Sequence, residues 1–180
     1  RGVAFTAGPA VKDPTFLEEA GCGAVAWLGG PEAAAAARRA LVAAGLREVA
    51  FVGGSPVKDP AFLEEAAEAG EGTVVACGCA DLSLSTAPSA RRFIHDYAEA
   101  FGAAPGVHAI EAYDAGSLLT RALAAGGLTR AGAARGLAGV RGLEGLAGPY
   151  RFGPAGELVD PLAHVVLYRD DGGRWVAVGR

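Results

Sequence analysis

The stretch Val49 to Ala66 reads VAFVGGSPVKDPAFLEEA, and its pattern decides the fold. A short apolar run, Val49 to Val52, ends in a small-residue loop, Gly53 to Pro56. Asp59 then precedes Pro60, as an N-cap precedes a proline in the first helical turn. Glu64 and Glu65 extend an acidic helix that should end near Gly70. The whole is a strand–loop–helix unit, the building block of an open α/β sheet. Val3 to Ala20, VAFTAGPAVKDPTFLEEA, repeats it with identity at 13 of 18 positions. Two copies do not make a solenoid, because repeat arrays need about three units to bury a continuous core.

Outward from this unit the cycle continues. Ala24 to Leu28 (AVAWL) is a continuous apolar run, as expected for a strand buried on both faces. Gly29-Gly30-Pro31 breaks it, and Glu32 to Ala44 predicts an alanine-rich helix closed by Gly45. Thr73 to Cys77 is the next strand. The β-α-β-α-β-α-β order, starting at Val3, predicts a parallel open sheet with right-handed crossovers and flanking helices.

After Cys79 the style changes. Asp81 to Ala87 is polar and reads as extended, and Ser85 or Thr86 starts a helix through Phe101. Phe93, Tyr97 and Phe101 fall on one face at four-residue spacing. Helices follow over Val107–Ala125 and Arg130–Ala138, then Gly-rich linking sequence. HVVLY (His164 to Tyr168) and WVAV (Trp175 to Val178) flank Asp170-Asp171-Gly172-Gly173, a hairpin signal. The expected fold class is therefore α/β. A βα lobe spans 1–80, helices of a second region span 81–145, and a return segment with a closing β-hairpin spans 146–180.

Composition narrows the function. Of 180 residues, 51% are hydrophobic, enough for a sizeable core, and the net charge is −4. Only Lys12 and Lys58 are lysines and the arginines are scattered, which excludes a phosphate-backbone partner. The absence of Met, Asn and Gln reads as GC-rich coding, not function. No apolar run approaches the roughly 20 residues that span a bilayer. Cys22, Cys77 and Cys79 are odd in number, and Cys77-Gly78-Cys79 lacks the two-residue gap of metal-binding pairs. They read as small buried residues, with a bridge from Cys22 to Cys77 or Cys79 as the alternative.

Enzymatic motifs are missing. Gly21-Cys22-Gly23 is no dinucleotide fingerprint, and neither a phosphate loop nor a Gly-x-Ser-x-Gly elbow occurs. His95, His108 and His164 read as surface or partly buried histidines. Glu18-Glu19 and Glu64-Glu65 are adjacent pairs, which point about 100° apart on a helix and form no carboxylate dyad. No catalytic residue, metal ligand or cofactor is expected. Open α/β sheets instead bind small molecules beyond the carboxyl ends of their strands. Three loops meet that rule, with Trp27, Gly29, Gly30, Gly54, Ser55 and Asp81 as candidate ligand contacts. Glycines let backbone N–H groups approach a ligand, Ser55 offers a hydroxyl and Trp27 an apolar wall.

Several segments taken together resemble a known family. They are AVAWLGGPEAAAAARRAL, FVGGSPVKDPAFLEEAAEAGEGTVVA, ARRFIHDYAEAFGAAPGVHAIEAYDAGSLLTRAL, and GPYRFGPAGELVDP followed by HVVLYRDDGGRWVAV. Their order is similar to the C-terminal half of the extracellular solute-binding proteins of branched-chain amino-acid-type ABC transporters, the type I periplasmic binding fold. The resemblance implies a C-terminal half or a shortened member, a two-lobed clamshell, no bond chemistry, and delivery of a small solute to a transporter permease. It places the protein outside the cytoplasm, with no signal peptide visible. It puts the first crossing between lobes near Ala80 to Thr86. Relatives often carry an acid for the ligand's ammonium where this chain has Ser55, so an uncharged or anionic solute is also open. Helices that pack on the missing half would expose Phe93, Tyr97 and Phe101, which suggests a homodimer or a missing-lobe partner. The alternative is an interaction or sensor module that keeps the fold and binds no solute.

Overall fold

The computed structural model describes residues 23–81, 85 and 87–179. The first copy of the repeat, with Cys22, lies outside the described residues, as does most of the expected crossing. The chain divides into two compact units, one of residues up to Gly78 plus Val166–Gly179, the other of Cys79–Val165.

The first unit is a five-stranded sheet. Its strands are β1 (Ala24–Trp27), β2 (Ala50–Gly53), β3 (Val74–Cys77), β6 (Val166–Asp170) and β7 (Trp175–Gly179), in the order β1-β2-β3-β6-β7. β1, β2 and β3 run parallel, whereas β6 pairs antiparallel with β3 and β7 with β6. The sheet is thus mixed and parallel-dominated, with the predicted hairpin closing one edge.

Helices α1 (Pro31–Ala43) and α2 (Pro60–Ala66) make the crossovers, and a 3-10 turn (Ala67–Gly70) extends α2. Asp59 caps α2 as its sequence predicts, accepting from the Ala61 N–H at 2.9 Å. Leu41, Phe51, Val57, Phe62, Val75 and Tyr168 are fully or almost fully buried and form this unit's core. Phe62 stacks on Trp175, with ring centroids 5.6 Å apart. Two ionisable side chains of this unit are buried, Arg38 and Asp170. Arg38, at 4% exposure, donates to the carbonyls of Ala69 (2.9 Å), Val49 (3.0 Å), Arg47 (3.2 Å) and Glu71 (3.4 Å). It sews α1 to the entry of β2 and the end of the α2 crossover. Burial of the guanidinium lowers its pKa.

The second unit contains helices α3 (Pro88–Phe101), α4 (Ala109–Gly126) and α5 (Arg130–Gly139) and a small ribbon of β4 (Gly142–Glu144) and β5 (Pro149–Arg151). The ribbon replaces the Gly-rich linker that the sequence suggests. Asp114, on α4 and 3% exposed, holds its turn by accepting from the Leu146 (2.8 Å) and Ala147 (3.0 Å) amides. Tyr150 also hydrogen-bonds Asp114; burial and that neighbouring carboxylate push the phenol well above its ordinary pKa. α4 and α5 pack at backbone contact: a Cβ on Gly136 would overlap the Ala122 carbonyl, and one on Gly126 the Gly132 carbonyl. On α3 the predicted aromatic face is present, with Phe93–Tyr97 and Tyr97–Phe101 centroids 5.8 and 4.6 Å apart. Phe101 is 69% exposed.

Candidate functional site

The parallel strands end together, and their loops form the candidate site. Trp27 closes β1 opposite Gly53, the last residue of β2. The Gly54 N–H donates to the Trp27 carbonyl at 3.0 Å, which ties the two loops. Beyond it, Ser55 opens a 3-10 turn to Val57, and its Oγ accepts from the Gly78 N–H at 3.3 Å. The turn needs a residue without a side chain at Gly53, because a Cβ there would sit 2.8 Å from the Val57 Cβ. Trp27, Gly54, Ser55 and Gly78 are therefore linked by backbone and hydroxyl contacts across the ends of three strands.

The Trp27 ring stacks on Phe51, centroids 6.2 Å apart, and curls over Gly29. Its Nε1 is buried and has no hydrogen-bond partner among the described residues. Gly29 and Gly30 are exposed, and Gly30 caps α1 with backbone alone, so no side chain takes that helix's first amides. Asp81 belongs to the other unit.

Two contacts escape a reading of the sequence. Leu28 closes the run AVAWL and looks like core, yet it is 85% exposed beside Gly54. β1 stops one residue early because the backbone turns at Gly29. The Gly78 amide is the other; a backbone donor leaves no trace in sequence. Cys77 and Cys79, read from sequence as small buried residues, are buried and both disulfide-bonded. Among the described residues the histidines form no constellation of catalytic kind. His95 is exposed on α3 beside Asp96 and Glu99, and His164 stacks on Tyr150 at 4.8 Å. In the second unit Tyr113 is half-exposed and Asp114 serves the ribbon turn.

Residues 16–172 match the family of periplasmic binding proteins, and the chain belongs to that family. It is similar in structure to the leucine-binding protein LivK of Thermotoga maritima, with a TM-score of 0.79 at 21% identity, covering 97% of this chain and 49% of that one. It also resembles a putative branched-chain amino acid ABC transporter protein from Rhodospirillum rubrum (TM-score 0.69, 25% identity, 92% and 47% covered). A third likeness is to an ABC-transporter solute-binding protein of R. palustris solved with benzoate (0.70, 20%, 98% and 48%). The chain thus spans about half the length of the structures it matches. No curated protein matches it in sequence. The family and fold are those of solute-binding proteins, and the type I periplasmic binding fold is the one observed. Among the described residues no helix is long and apolar enough to cross a membrane.

Proposed function

We propose that this chain supplies solute-recognising loops of an ABC-transporter substrate-binding protein, acting outside the cytoplasm and delivering its solute to a permease. The observation that carries this reading is the convergence of Trp27, Leu28, Gly54, Ser55 and Gly78 at the carboxyl ends of β1, β2 and β3. The loops 27–31, 53–56 and 77–79 contain no charged residue. Recognition there rests on an apolar wall, one hydroxyl and backbone donors.

The solute is a small amino acid or carboxylate with an apolar part. Leu28 and Trp27 meet the apolar part. The open first turn of α1 favours a carboxylate through its free amides and dipole. Leucine and benzoate, the ligand chemistry named for two structural relatives, both have this form. No bond is made or broken.

Thermal melting over branched-chain amino acids, aryl carboxylates and short acyl carboxylates tests the proposal. Binding to the folded state raises the midpoint by mass action. Ser55→Ala should weaken the compound found by about fivefold, the worth of one neutral hydrogen bond. No shift with any of them would count against solute binding. A stable dimer in the same samples would favour the alternative, an interaction module working through the α3 aromatic face, where Phe101 is exposed and Phe93 and Tyr97 are half-buried.

A further inference from the structure

The chain is acidic overall, but one stretch is not. Residues 115–156 contain five arginines, Arg121, Arg130, Arg135, Arg141 and Arg151, and a single acid, Glu144. All five arginines are exposed. The ion pairs among the described residues lie on α3 and at the start of α4, and none uses these guanidiniums. The two acids on α4 are occupied elsewhere: Glu111 accepts from the Ala80 amide and Asp114 from the ribbon turn. Glu157, the next acid in sequence, turns back to the Ala155 amide at 3.0 Å.

Two of these arginines line a cleft. Along the α4–α5 seam lies a cavity of about 570 Å³ bordered by Arg121, Arg135, Gly126, Gly139 and Val140. Arg135 keeps one weak bond, 3.4 Å, to the Gly126 carbonyl, and Arg121 has no partner among the described residues. A second cavity of about 370 Å³ meets the first at Val140 and is lined by Leu118, Leu137, Phe152 and Pro154. A cationic cleft thus adjoins an apolar one. Both volumes fall within the roughly 300–1,000 Å³ usual for small-molecule sites. Unpaired guanidiniums in a field of one sign concentrate anions, and their planar fork fits a carboxylate in two-pronged fashion.

We propose that the α4–α5 cleft is a binding site for an amphiphilic carboxylate, with its head on Arg121 and Arg135 and its aryl or short acyl tail against Leu137 and Phe152. This site lies wholly in the second unit and does not rest on the strand-end loops of the first. It gives the protein a second place to hold a small acid, apart from the solute it would deliver.

Isothermal titration with octanoate, benzoate and acetate tests it on the parent chain, on Arg121→Gln/Arg135→Gln, on the matching Lys pair and on Ser55→Ala. The expected result is saturable octanoate or benzoate binding, and much weaker acetate binding. The Gln pair should weaken it about tenfold or more and the Lys pair less. Both arginines are exposed, so the variants should fold, which circular dichroism checks. Binding unchanged in the Gln pair, or no binding to the parent, overturns the proposal. Loss confined to Ser55→Ala also overturns it and assigns the acid to the strand-end loops. Binding of an acidic peptide but of no small carboxylate overturns it in favour of a docking surface.

Discussion

The two units of the chain are held together by different means. Of the buried hydrophobic residues, the sheet unit has large ones: Leu41, Phe51, Val57, Phe62, Val75 and Tyr168. The helical unit buries Cys79, Ala90, Ile110, Ala122 and Leu143, two of them alanines, and leaves Phe101, Tyr113, Leu119 and Leu128 exposed. One unit is stabilised by large apolar side chains buried around a sheet, with the Arg38 guanidinium tying its crossovers. The other depends on a buried carboxylate that holds a turn and on helices close enough for their backbones to touch.

The contrast can be broken at its strongest points first. Arg38→Ala leaves four carbonyls of the sheet unit without their donor and should cost about 3 kcal/mol or more. Chemical denaturation followed through the tryptophans reports it, since Trp27 and Trp175 both lie in that unit. A loss below about 1 kcal/mol would show that water replaces the guanidinium freely.

Asp114→Ala should cost about 2–3 kcal/mol, because two amides lose a charged acceptor. The effect should be confined to the second unit. Hydrogen exchange at Leu146 and Ala147 ought to rise while amides of β1 to β3 stay protected. Equal deprotection of both units would erase the distinction drawn between them.

The smallest effect is a pH dependence. Asp170, at the end of β6, is fully buried, and burial raises its pKa despite the Gly173 N–H it accepts at 3.0 Å. The folded state therefore holds this proton more tightly than the unfolded state. That contribution is fully present below the ordinary carboxylate pKa and is lost as pH rises through the raised folded value. Asp170→Asn should melt progressively higher than the parent as pH climbs through that window. Parallel melting curves across it would show that the carboxylate ionises without cost.

Much of the sheet unit is legible in sequence because its signals are local. The run AFV announces a strand, and Asp59-Pro60 announces a capped helix that the Ala61 amide bears out. Arg38 is not legible. It sits in an alanine-rich helix like a solvent-facing residue, and its acceptors lie 9 to 33 residues away. The β4–β5 ribbon is hidden for the same reason. Its strands are three residues each, and the group that fixes its turn is 32 residues upstream. At the candidate site, the Gly-Gly-Ser loop is readable as a sheet-end loop. Leu28 is not, since an apolar residue after four others looks like core until the turn at Gly29 carries it outward.

The α4–α5 seam has a consequence for how the sequence can drift. Where one helix's carbonyls meet the other's α-carbons at Gly126, Gly132 and Gly136, even alanine is excluded unless the helices part. These three positions are closed to nineteen of the twenty residues, while the arginines beside them can change without disturbing the fold. The chain carries 28 glycines, a bias that supplies such positions readily. Variation in this half of the molecule is therefore channelled away from the seam and onto the rims of the cleft, where a new side chain alters what can bind and leaves the scaffold as it was.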